Sequence, residues 1–105
     1  MIESPKGHRH QDQVDLSLVK LLVKAHHLKE IFFNGGGTSI QALAQKEGVN
    51  PSYFTRLIRL TFLAPDIVQA ILEGSHPVTL TASQLIMNTR FPYDWDGQRK
   101  QLGFL

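Results

Sequence analysis

At 105 residues, with 42% of them hydrophobic, the chain suits one small domain built on a single, thin core. The absence of cysteine excludes a disulfide framework, a thiolate metal site and a cysteine nucleophile. A net charge of +2 and a pI near 9.2 are too slight to name a polyanionic partner, and no apolar run approaches a membrane-spanning length.

Residues 1–13, MIESPKGHRHQDQ, are polar and cannot bury enough apolar surface to offset their chain entropy. They are expected to form a flexible basic arm ahead of a helical domain over 14–105, and they hold no hydrophobic stretch that could serve as a secretory signal. Within the arm, His8-Arg9-His10 offers two imidazoles without a third ligand, which suits passing phosphates better than a metal ion. From Asp15 to Phe33 the residues Leu18, Leu21, Leu22, Ala25, Leu28 and Phe32 recur at helical spacing. Val19, Val23, Ile31 and Phe33 widen that stripe, as expected of a long helix packed against more than one neighbour. His26 and His27 are adjacent and so point to different faces, which suits neither a shared metal nor an acid–base pair. Asn34-Gly35-Gly36-Gly37 ends the helix; no lysine follows the glycines and no strand precedes them, so this is a connection and not a phosphate-binding loop.

Ile40 to Arg59, IQALAQKEGVNPSYFTRLIR, is the segment that points to a chemistry. Ser39 can cap a short helix with Ile40, Leu43 and Ala44 inward, and Gly48 can end it in the left-handed conformation. Val49 plugs the corner, and Asn50 and Pro51 together mark the start of a second helix to about residue 61. At roughly 100° per residue, Ser52, Thr55, Arg56 and Arg59 fall on one face of it, opposite Phe54, Leu57 and Ile58. With Ile40 as the first position, Ala44, Gly48, Val49, Phe54 and Leu57 match the helix-turn-helix pattern, whereas Glu47 stands where an apolar residue is usual. From Asn50 to Ala64 the chain has two arginines and no carboxylate, so the positive potential is local. An ordinary helical hairpin with solvated arginines is the plainer alternative.

Ala64-Pro65-Asp66 opens a further short helix with Ile67, Val68, Ile71 and Leu72 apolar and Gly74 closing it. Beyond Pro77, either Thr79 or Thr81 can cap another, with Leu80, Leu85 and Ile86 available for burial. Asn88 to Pro92 reads as a loop, and a last helix is expected from the cap Asp94 to Gly103, with Trp95 packed onto the core and base stacking as its alternative role. No stretch alternates as a strand does and no repeat is visible, so the fold class is all-α, a small multi-helix domain.

The run SIQALAQKEGVNPSYFTRLIRLTFLAPDIVQAILEG, and most of all Gly48-Val49-Asn50 through Tyr53, Arg56 and Leu57 to Leu63-Ala64-Pro65-Asp66-Ile67-Val68, resembles the helix-turn-helix segment near the C-terminus of bacterial resolvase-type serine recombinases. More distantly it is similar to the ParB/KorB class of plasmid partition and repressor proteins. The resemblance reaches back to about Val14, and the closing FPYDWDGQRKQLGFL looks like the tryptophan-containing tail of the recombinase version. It implies DNA binding, with Ser52, Tyr53, Thr55, Arg56 and Arg59 at the positions of the recognition helix. The serine nucleophile domain of that family has no counterpart in the chain, so the resemblance does not extend to recombination.

The expected ligand is double-stranded DNA. Asn50, Ser52 and the free amides that open the second helix would hold a phosphate. Arg56 and Arg59 would either read guanine or contact phosphate, Thr55 would touch a thymine methyl, and Lys46 would contact the backbone of any sequence. One recognition helix binds weakly, so a homodimer or a larger recombinase-type assembly is expected to assist. The other class of function is a protein-interaction module that docks a partner on Phe62-Leu63 and the helix from Pro65 to Glu73. No enzyme motif is present: HExxH and a nucleophile-elbow serine are missing, and Asp94 and Asp96 point apart on a helix. The chain is therefore expected to be cytoplasmic, not membrane-bound, and to carry neither cofactor nor metal.

Overall fold

The helices of the described residues begin where the chain supplies a cap or a proline. In a computed structural model, which describes residues 13–87, 89–92 and 94–104, they are α1 (Leu16–Phe33), α2 (Ile40–Glu47), α3 (Pro51–Leu60), α4 (Pro65–Glu73), α5 (Ala82–Met87) and α6 (Trp95–Leu102). The described residues contain no strand, so the chain is all-α. Apart from Gln13, the arm and its His8-Arg9-His10 lie outside the described residues.

Side-chain caps sit where the sequence places them. Asp15 accepts from the amides of Ser17 and Leu18, Ser39 from Ala42, Asn50 from Ser52 and Asp94 from Gly97. Of the two threonines available for α5, Thr81 is the one used: its Oγ1 accepts from the Gln84 amide at 3.1 Å. At the other end of α2, Gly48 adopts φ 72°, which lets the Val49 amide reach back to the Ala44 carbonyl at 2.9 Å. Gly74 and Gly103 close α4 and α6 in the same way.

The core is one cluster. Leu18, Leu22, Ala25 and Leu28 of α1 meet Phe54, Leu57 and Leu60 of α3, and α2, α4 and α5 add Leu43, Ala44, Ile67, Ile71 and Leu85 around them. Each full burial of a leucine or isoleucine contributes about 1.5–3 kcal/mol, so the α1–α3 pairing is the main source of stability. Ala44 has no exposed surface, as a small residue between α2 and its neighbours should. The stripe on α1 is narrower than its composition suggests: Val23 and Phe33 are more than 60% exposed. The inward side of α1 is already filled by the leucines, and no other element of the described chain lies over Val23.

The C-terminal helix is held by polar groups. Gln98, 2% exposed, accepts the Ala64 amide on Oε1 at 2.8 Å and donates from Nε2 to the carbonyls of Phe62 (3.2 Å) and Pro92 (3.1 Å). Ala64 is the N-cap of α4 and has no side chain to offer, so Gln98 satisfies the corner from outside. Next to it, Arg99 donates from Nε and a terminal nitrogen to the Asp66 carboxylate, at 2.8 and 3.0 Å, and from the other nitrogen to Asp96 at 2.7 Å. These hydrogen bonds hold the Asp66 carboxyl below its ordinary value. Trp95 departs from expectation, being 50% exposed. It lies on the same side of α6 as Gln98 and Leu102, but at the first turn, one turn before the buried Gln98.

Candidate nucleic-acid interface

Pro51 and the Asn50 cap fix where α3 begins, and that phase decides which side chains it presents. Phe54, Leu57 and Leu60 are fully buried. Ser52, Thr55, Arg56 and Arg59 are turned away from them and together line a shallow groove of about 330 Å³. The opposite wall comes from the end of α5 and the chain after it, through Met87, Thr89 and Arg90. One face of a ten-residue helix thus becomes one side of a two-walled depression.

Its charge is uncompensated. No carboxylate lines the groove, and among the described residues the ion pairs are His27–Glu47, Arg99–Asp66 and Arg99–Asp96. Arg56, Arg59 and Arg90 take part in none of them. Arg56 is exposed and Arg59 half-buried, so neither is withdrawn into the core. Three guanidiniums line one small depression with no carboxylate among them, so its potential is positive.

The other residues singled out in the sequence separate into distinct surroundings. Tyr53 is half-buried on the flank of α3 facing α1, packed against the core and with Lys24 Nζ 5.2 Å from its ring centroid. Asn50 is engaged as a cap, its Oδ1 taking the Ser52 amide at 2.8 Å. The Phe54 amide bonds the Asn50 carbonyl at 2.9 Å, which leaves Tyr53 as the first-turn amide of α3 without an acceptor among the described residues. The anion-binding capacity of that helix start is accordingly smaller than the sequence suggests. Lys46 is exposed but belongs to a different depression, between α1 and α2, which it shares with Glu30. Glu47 is half-buried, with Oε1 4.0 Å from His27 Nε2, so its carboxylate faces α1 and not the α3 groove.

Arg90 was not singled out by sequence reasoning, because the segment from Asn88 to Pro92 reads only as a loop. The missing information is that α5 packs on α3, which carries the residues after Met87 to the arginine face. The candidate interface is therefore Ser52, Thr55, Arg56, Arg59 and Arg90, with Asn50 capping the helix that presents it. Among the described residues no cluster of three or more histidine, aspartate or glutamate side chains could hold a metal ion, and no helix is long and apolar enough to cross a membrane. No protein-family model, curated protein or solved structure matches the chain.

Proposed function

We propose that the chain is a double-stranded DNA-binding module in which α2, the Gly48–Asn50 turn and α3 act as a helix-turn-helix, with α3 entering the major groove. The observation that carries this reading is the uncompensated arginine groove, with Arg56 and Arg59 on α3 and Arg90 facing them. Its polar partners are short, Ser52 and Thr55, and leave room for a phosphate or a base edge. The likeness of the segment to the C-terminal region of serine recombinases agrees with it. Further affinity would come from a second copy or from the other parts of a larger assembly.

The alternative, docking of a protein on the Phe62-Leu63 segment and α4, finds only part of those residues at the surface. Leu63, Ile67 and Ile71 are at most 5% exposed and belong to the chain's own core. Phe62 and Leu72 remain outside.

Duplex titration by fluorescence anisotropy tests the reading. A labelled random-sequence duplex should bind at low salt and be released steeply as salt rises. Selection from a random pool then yields a preferred site. On that site Arg56→Ala should lose about tenfold or more in affinity if it reads a base, with a smaller loss on random duplex. Absence of duplex binding at low salt would overturn the proposal.

A further inference from the structure

A second, larger groove of about 910 Å³ adjoins the arginine depression, between the α3–α4 connection and the segment that leads into α6. Its walls are Phe62, Pro65, Phe91 and Trp95, an apolar and mostly aromatic surface, and Phe62 and Trp95 are 61% and 50% exposed. Arg59, Arg90 and Thr89 line this groove as well as the first. The two depressions therefore share their cations.

The groove is preformed. Gln98 joins the carbonyl of Phe62 on one rim to that of Pro92 on the other, at 3.2 and 3.1 Å, and its amide is fully occupied in doing so. Arg99 and Asp66 hold α6 against α4 beside it. A rim pinned in this way loses little freedom when a ligand arrives. Thr89 adds a separate sign: it is 4% exposed, yet its hydroxyl has no hydrogen-bond partner among the described residues. Buried hydroxyls are rarely left so unless something else meets them.

Resting on the DNA-binding reading above, we propose that this groove is a ligand site for a small planar aromatic anion, and that ligand and DNA exclude one another by competing for Arg59 and Arg90. The rings lie on Trp95, Phe62 and Phe91, where offset stacking and burial supply the affinity. The anionic group, a carboxylate, sulfonate or phosphate, pairs with the guanidiniums and accepts from Thr89. No carboxylate lines the groove to oppose it. The volume lies within the roughly 300–1,000 Å³ typical of small-molecule sites. Because Arg59 and Arg90 serve both grooves, an occupied ligand site removes two of the three cations that DNA would contact.

The probe is 8-anilinonaphthalene-1-sulfonate, titrated into the full chain. Trp95 is the chain's one tryptophan, so its emission reports on the groove directly. Binding should quench Trp95, weaken by tenfold or more in Arg90→Gln, and weaken also in Phe62→Ala, an exposed truncation whose fold is checked by circular dichroism. The neutral N-phenyl-1-naphthylamine, with the same rings and no sulfonate, should bind more weakly and be indifferent to Arg90→Gln. With labelled duplex present, the sulfonate should raise the apparent Kd for DNA without a plateau, in proportion to one plus the ratio of free dye to the dye's own Kd. Equal binding of both dyes by both forms, or a sulfonate complex that leaves Trp95 emission untouched, overturns the site. Arg90-dependent sulfonate binding together with unimpaired DNA binding overturns the competition alone. The same dye result from a chain that binds no duplex at low salt supports the site and overturns the DNA reading.

Discussion

Arg90 offers the sharpest test of the interface, because nothing in its local sequence recommends it and only the packing of α5 on α3 brings it to the arginine face. If Arg56, Arg59 and Arg90 each neutralise one phosphate, the logarithm of the binding constant should fall with the logarithm of salt concentration at a slope of about −2.7. Removing one guanidinium in Arg90→Gln should reduce that slope to about −1.8. The same relation sets the loss of affinity at about 15-fold in 50 mM salt and about fourfold in 200 mM, because a contact driven by counterion release fades as salt rises. The loss should be alike on selected and random duplex, since a phosphate contact positions without reading sequence. Anisotropy titrations of the wild type and Arg90→Gln at four salt concentrations supply all of these quantities. Lys46→Gln is the internal comparison: Lys46 belongs to another depression and shares it with Glu30, so its effect should be the smaller. An unchanged slope in Arg90→Gln, or a loss that does not shrink with salt, would refute the assignment of Arg90 to the interface.

Three further outcomes concern the scaffold. Ala44→Leu adds three carbons at a position with no exposed surface beside α3 and should cost about 1–3 kcal/mol by overpacking, read from a urea melt, together with weakened DNA binding. Gln98→Leu keeps the volume but leaves the buried Ala64 amide without its acceptor, which should cost about 1–3 kcal/mol for that group alone in the same assay. Acidification should loosen α6: Asp66 has a folded pKa lowered from 3.8 by Arg99, so its contribution is fully present above that value and is lost as the pH falls through the lowered one. Hydrogen exchange in α6 against pH measures this, and Asp66→Asn should abolish that part of the acid response.

Most helix ends were legible because each is written in one or two residues. Ser39, Asn50-Pro51, Pro65 and Asp94 open helices, and Gly48, Gly74 and Gly103 close them. The outward face of α3 was legible for the same reason, since Phe54 and Leu57 fix the phase of a short helix whose start is known. What lay beyond the sequence were relations between segments distant along the chain. Arg90 joins Arg56 across more than thirty positions only through α5, and Gln98 reads as an ordinary surface glutamine until the unsatisfied amide of Ala64 is seen beside it. Trp95 shows the limit of composition: a lone tryptophan favours burial, but at the first position of α6 half of it stays outside. Lys46 and Tyr53 were assigned by position in a pattern, while their surroundings depend on how α1 lies across α2 and α3.

The Gln98 amide gathers residues 62, 64, 92 and 98 into one knot, and Leu102 is the one buried apolar side chain of α6. A region held by a set of polar contacts and little apolar burial should open as one cooperative unit, before the α1–α3 core does. The exchange rate of the Ala64 amide proton is then a clock for that opening. Each time the knot unties, the segment bearing Arg90 is freed from its place, so the stability of the last turns of the molecule sets how much of the population holds a complete basic ridge at any moment.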